Sequence, residues 1–251
     1  MNIAGVEIGG PNPCRIVAEV SNAHNGDFDR AKRLITAAKE TGADLVKMQC
    51  YTPDELVELR GDGPAPDPWG SDGWSMKRLY EKAQTPHVWF RALVEHAHEV
   101  GIPWFSSVFG RKSLALLESL DCPAYKLAAL DVGKIDLRVM VQATKKPVIR
   151  SCNNDYSPPS SVIRGFTLYC PPGYPQEHPK LGRIRYGHYD GYSYHGVNGE
   201  IPALAALSGA QIVECHLQLD DEPSELEANV SLSQSQFTGM VERIRHFEGL
   251  M

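Results

Sequence analysis

Short apolar runs alternate along the chain with segments whose apolar residues recur every three to four positions, the pattern of a parallel α/β sheet. The first run, Ile16-Val17-Ala18, stops at Glu19. Ala31, Leu34, Ile35 and Ala38 then fall on one helical face, with Gly42 placed to cap it. The second run covers Leu45 to Gln49. A Gly/Pro-rich excursion from Pro53 to Thr85, carrying Trp69 and Trp74, separates it from a helix that Pro86 opens and Gly101 ends. The third run is Trp104 to Ser107, with a helix over Arg111 to Leu120. The fourth is Ala124 to Leu127, with a helix over Ile135 to Thr144. Val148 to Ser151, Gly165 to Cys170 and Tyr192 to His195 supply the fifth, sixth and seventh, the last being the weakest pattern. A helix over Ile201 to Ser208 leads to the eighth, Gln211 to His216, and a final helix spans Ser233 to Phe247.

Eight strands alternating with helices in a chain of 251 residues predict a (β/α)8 TIM barrel filling residues 1–251 as a single domain. Two connections are thin. Between Ser151 and Gly165 there is room only for a short helix, which Pro158-Pro159 weakens, and between Cys170 and Asp190 no helical period shows. Reduced helices are therefore expected after strands 5 and 6, and an apolar patch exposed there would favour a partner subunit. The net charge of -6 argues against nucleic acid or an anionic membrane as the main partner. No segment approaches the ~20 apolar residues of a membrane span. The six cysteines are widely spaced with no C-x-x-C pair, which reads as free thiols of a cytoplasmic protein.

In such barrels the chemistry sits at the carboxyl ends of the strands. The residues there are Glu19, Lys47, Gln49, Ser106, Ser107, Lys126, Arg150, Ser151, Cys170, Ser193, His195, Glu214 and His216, so polar groups end nearly every apolar run. His195 and His216 lie one strand-helix-strand step apart, and neutral imidazole suits Mn, Fe, Co or Zn. Each alone is equally an ordinary hydrogen-bonded side chain. Lys47 and Lys126 close apolar strands, where an ammonium needs a partner: a captured phosphate or carboxylate on one reading, a snorkelling strand end on the other. Ser107, Ser151 and Ser193 can complete an anion cradle. Arg150 either joins it or points outward, since neighbouring strand residues face opposite ways. Glu19 either serves a metal-bound water or a proton, or pairs with Lys47.

Several ordered segments carry a resemblance: Ala18-Glu19 through His24-Asn25-Gly26, Gly42-Ala43-Asp44 through Lys47-Met48-Gln49, and Leu79 through Pro86. Phe105-Ser106-Ser107-Val108-Phe109, Ala124-Tyr125-Lys126-Leu127-Ala128, Cys170 through Tyr174-Pro175, the His195 segment and Glu214-Cys215-His216 follow. Together they resemble the N-acetylneuraminate (sialic acid) synthase family, pseudaminic acid synthases in particular, over nearly the whole chain. The resemblance implies a barrel that condenses phosphoenolpyruvate with a sugar aldehyde to give a 2-keto acid and phosphate. It implies that Lys47, Ser107, Lys126, Ser151 and Ser193 hold phosphoenolpyruvate, with Glu19, Lys47 and Lys126 in catalytic roles. Asn22, Asp131, Tyr174 and Glu227 would contact the acceptor. His195 and His216 would bind a divalent metal ion (Mn, Mg, Co or Zn, with Mn favoured). A homodimer is implied as well.

The sequence departs from the family pattern at Ala129, Asp131, Pro172 and Glu227, which stand where serine, glutamate, asparagine and aspartate are usual. The family's small C-terminal antifreeze-like domain is also expected to be missing, which suggests a different acceptor or a separate capping chain. A metal-dependent barrel aldolase, lyase or hydrolase is the alternative, favoured by Ala129 and Pro172. A non-catalytic binding subunit is the third.

Overall fold

The computed structural model describes residues 1–153, 165–176, 181–182 and 189–250. Eight parallel strands form the barrel: β3 (Arg15–Glu19), β4 (Leu45–Cys50), β5 (Trp104–Val108), β6 (Tyr125–Leu127), β7 (Val148–Cys152), β8 (Gly165–Tyr169), β9 (Gly191–Tyr194) and β10 (Ile212–Gln218). They pair in chain order, and β10 closes the ring by pairing with both β9 and β3. The (β/α)8 barrel expected from the sequence is therefore the fold. A short antiparallel hairpin, β1 (Asn2–Ile3) with β2 (Val6–Glu7), precedes the barrel, and β11 (Ser231–Ser233) extends the sheet beside β10. Neither was anticipated from the apolar pattern.

Side-chain alternation organises the interior. Val17, Leu45, Phe105, Ala124, Ile149, Leu168 and Ile212 fill the lower barrel, closed by Ile3 and Ile8. Two positions further along each strand, side chains face the same way again. Those positions are Glu19, Lys47, Ser107, Lys126, Ser151, Cys170, Ser193 and Glu214. One step along the barrel axis thus turns the filling from hydrocarbon to charge and hydroxyl. The opposite parity, including Ile16, Val46, Tyr125 and Val213, packs outward against the helices in a second, larger core. Arg150 belongs to that outward set, where its Nε donates to Thr167 Oγ1 at 2.8 Å. Gly191 is required by close approach, since a Cβ there would collide with the carbonyl oxygen of Ile212.

The helices are α1 (Phe28–Glu40), α2 (Pro53–Arg60), α3 (Met76–Ala83), α4 (Phe90–Glu99), α5 (Arg111–Ser119), α6 (Ile135–Ala143), α7 (Glu200–Leu207) and α8 (Gln234–Glu248). The Gly/Pro-rich excursion therefore contains two helices that its composition concealed. A capping box between Thr52 and Glu55 starts α2, and Ser75 caps α3. Glu55 also accepts the backbone N–H groups of Lys112 and Ser113, at 2.7 and 3.1 Å, so one carboxylate caps both α2 and α5. Tyr51, Leu56, Tyr80 and Phe109 form a separate small core beneath the excursion. The helix expected from Pro86 begins instead with a 3₁₀ turn, His87–Trp89, before α4. The connections expected to lack full helices, after β7 and β8, lie largely outside the described residues. All six cysteines are free and buried, and among the described residues no helix is long and apolar enough to cross a membrane.

Candidate active site

The charged layer is a connected network. Lys47 Nζ pairs with Glu19 Oε2, lies 3.2 Å from Glu214 Oε1 and donates to Ser107 Oγ at 3.1 Å. Lys126 Nζ donates to both oxygens of Glu214, at 2.7 and 2.8 Å, and Ser193 Oγ donates to Glu214 Oε1 at 3.2 Å. None of the four charged side chains is more than 5% exposed, so each ammonium survives burial only because a carboxylate is beside it. Burial opposes the charge on Lys47, but Glu19 and Glu214 outweigh it and raise its pKa. At Lys126 burial prevails over Glu214 and lowers the pKa. Burial alone would raise Glu214; Lys126 and Lys47 instead hold it well below the usual carboxylate range. Ser151 Oγ, in the same layer, is buried and has no hydrogen-bond partner among the described residues.

One step above stand the histidines. His195 follows β9 and His216 lies in β10, two positions beyond Ser193 and Glu214 respectively, and their ring centroids are 5.1 Å apart. Burial holds His195 neutral by lowering its pKa to about 3. Burial also opposes charge on His216, but the Glu227 carboxylate overcomes it and raises the pKa. His216 Nδ1 is 3.2 Å from Glu227 Oε2, and the Tyr174 hydroxyl donates to Glu227 Oε1. The Tyr174 ring packs 5.1 Å from His195 and edge-on to His216, with half its surface exposed while its hydroxyl reaches inward. Gln176 Nε2 donates to the carbonyls of Pro171 and Ser193, both at 3.1 Å. Gln176 Nε2 also lies 3.1 Å from His195 Nδ1, which faces Cys170 Sγ at 3.7 Å as well.

These donors fit a divalent metal. With each Nδ1 turned toward a neighbour, each imidazole has Nε2 available as a ligand atom. Among the described residues no group of three or more His, Cys, Asp or Glu side chains is arranged to hold a metal. A metal held by this pair would have two protein ligands and open positions, the composition of a substrate-binding site and not of a closed structural one.

The sequence-derived residues are therefore sorted by the fold. Glu19, Lys47, Ser107, Lys126, Ser151 and Ser193 share the charged layer; His195, His216, Tyr174 and Glu227 share the level above. Glu19 does pair with Lys47. Asn22 is buried and meets Ser224 Oγ at 3.3 Å, and Ser224 Oγ also accepts the N–H of Glu227. Asp131 stands apart: Arg60 takes both its oxygens, through Nε at 2.9 Å and Nη2 at 2.6 Å, and stacks on Phe109. Glu214 is the hub that sequence reasoning left without a role. Its signal was available: Glu214 and His216 share one face of an apolar strand. Gln176, Ser224 and Arg60 left no signal, because loop contacts follow from tertiary placement.

The NeuB family model matches residues 34–155 and 179–251. A pseudaminic acid synthase of Helicobacter pylori is 34% identical over 256 residues, covering 93% of this chain and 74% of the relative. The human N-acetylneuraminate-9-phosphate synthase is 27% identical, covering 96% of this chain and 72% of its own. Among solved structures, an N-acetylneuraminic acid (sialic acid) synthetase from Leptospira borgpetersenii, in complex with citrate, superposes with a TM-score of 0.84 at 24% identity, covering 100% of this chain and 89% of the other. The family match over most of the chain, together with the pseudaminic acid synthase relative, shows that the chain belongs to the NeuB family.

Proposed function

We propose that this barrel condenses phosphoenolpyruvate with a sugar or sugar-like aldehyde, giving a 2-keto acid and phosphate. The observation that supports it most is the pair of buried lysines, Lys47 and Lys126, lying one step below two adjacent histidines. Lys47, Lys126, Ser107, Ser151 and Ser193 hold the carboxylate and phosphate of phosphoenolpyruvate. Its charge displaces Glu19 and Glu214 from the ammonium groups, and the partnerless Ser151 hydroxyl gains an acceptor. His195 and His216 would hold the divalent metal, Mn being favoured, which would supply Lewis acidity to the acceptor aldehyde. In this reading carbon 3 of phosphoenolpyruvate meets the aldehyde carbon, where the new C–C bond forms. Water adds at carbon 2, its proton passing through Glu19 to the new alkoxide on the former aldehyde carbon, and the C–O bond to phosphate breaks as the carbon 2 hydroxyl gives its proton to the departing phosphate. Tyr174 and Asn22 border the acceptor.

The test is phosphate release by metal-loaded protein given phosphoenolpyruvate and a panel of aldoses and N-acetylamino sugars, with the product weighed by mass spectrometry. Acceptor-dependent release with a matching adduct supports the proposal. A second reading, a metal-dependent aldolase, lyase or hydrolase, is favoured by the capture of Asp131 by Arg60, which removes one expected acceptor contact. Metal binding without phosphoenolpyruvate binding would select it. The same proposal includes a homodimer, and a monomeric mass in sedimentation would contradict that part.

A further inference from the structure

Glu227 occupies a loop that is itself pinned at several points. Its backbone N–H donates to Ser224 Oγ at 3.1 Å, and the N–H of Ser224 donates to Gln218 Oε1 at 2.9 Å. Gln218 also donates through Nε2 to the carbonyl of Ser231 at 3.1 Å. Gln218 lies two positions beyond His216 on β10, so one strand anchors both the imidazole and the loop that delivers the carboxylate. Glu227 is 8% exposed. Oε2 faces His216 Nδ1 at 3.2 Å, and Oε1 is taken by the Tyr174 hydroxyl. Both oxygens thus have partners within the protein.

We infer that Glu227 is a positioning residue that acts through His216, fixing the imidazole as the Nδ1–H tautomer with Nε2 turned to the metal, and not a contact of the acceptor. The inference rests on the proposed ligation of the metal by His216. A carboxylate that accepts the second N–H of a ligating histidine sets the ring's orientation and raises its basicity, and losing it weakens metal binding roughly 10–100-fold. Glutamate suits this role at position 227: with the loop pinned at Ser224, the aspartate side chain is one methylene short of His216.

The test titrates Mn²⁺ into the metal-stripped full chain, reading free Mn²⁺ by electron paramagnetic resonance, for the wild type, Glu227→Gln and Glu227→Asp. The expected result is affinity weakened roughly 10–100-fold in both variants, with excess Mn²⁺ restoring kcat and leaving the acceptor KM unchanged. Unchanged Mn²⁺ affinity with a raised acceptor KM overturns the inference alone. A wild-type chain that binds no Mn²⁺ overturns the metal reading itself, and this inference with it. If the variants do not fold, the long-range ¹H–¹⁵N spectrum of the wild-type protein decides: a proton on His216 Nδ1 supports the inference, and a neutral ring carrying it on Nε2 overturns it.

Discussion

Glu214 balances two buried ammonium groups, so Glu214→Gln should be costly even though the shape hardly changes. Lys126 is 2% exposed, and its Nζ directs both of its short hydrogen bonds to this carboxylate. Lys47 keeps Glu19 when Glu214 is neutralised. The loss therefore falls on Lys126. Removing one partner of a buried ion pair costs about 3–5 kcal/mol, and the retained amide oxygen places this variant near the lower figure. For a domain of this size each kcal/mol moves Tm by about 2–4 °C, so a fall of roughly 6–12 °C is expected. Adding Lys126→Met removes the stranded ammonium, and the double variant should lose less than the sum of the singles by at least about 1.5 kcal/mol. Calorimetry of the wild type, both singles and the double measures this. A Glu214→Gln variant within about 2 °C of the wild type, by that same conversion, or strictly additive losses, would refute the charge-balance argument.

Lys47→Met and Lys126→Met should each abolish measurable phosphoenolpyruvate binding in calorimetric titration, whereas Ser151→Ala should weaken it about tenfold or more, the effect of one charge-assisted hydrogen bond. Glu55 tests the double helix cap by its pH dependence. Burial raises its pKa, but hydrogen bonds from the Ser113 hydroxyl and from the N–H groups of Ser113, Thr52 and Lys112 outweigh this and lower it. A depressed folded value means that the cap's stabilisation is present above the unfolded pKa of about 4.3 and is lost as pH falls through the folded value. Tm of the wild type should therefore fall more steeply than that of Glu55→Gln in this acid range, and parallel curves would count against the cap.

The fold was legible because the barrel writes itself as period-two alternation within each run and as apolar-to-polar switches at the run ends. Phe105 to Ser107, Ile149 to Ser151 and Ile212 to Glu214 each show the lower layer giving way to the upper. The proximity of the two histidines was legible for the same reason, since His195 and His216 continue the inward parity of Ser193 and Glu214. The partners of these residues were not. Arg60 meets Asp131 across 71 positions, through a helix hidden in Gly/Pro-rich sequence, so that pairing could not be read. The bond between Glu227 and His216 was not legible either, because the loop that turns Glu227 there is pinned by Ser224 and Gln218, hydrogen bonds that leave no periodic trace. Arg150 illustrates the gain from register: sequence left two orientations open, and pairing with Thr167 selects the outward one.

On the proposed function, an anion held by Lys47 and Lys126 lies directly beside a metal held by His195 and His216. Paramagnetic relaxation of the ³¹P signal of phosphoenolpyruvate by Mn²⁺ measures that proximity. Strong enhancement is expected in the wild type, and its loss in a His195→Ala, His216→Ala double variant that still binds phosphoenolpyruvate. Equal enhancement in the double variant, or none in a wild type that binds both ligands, would contradict it.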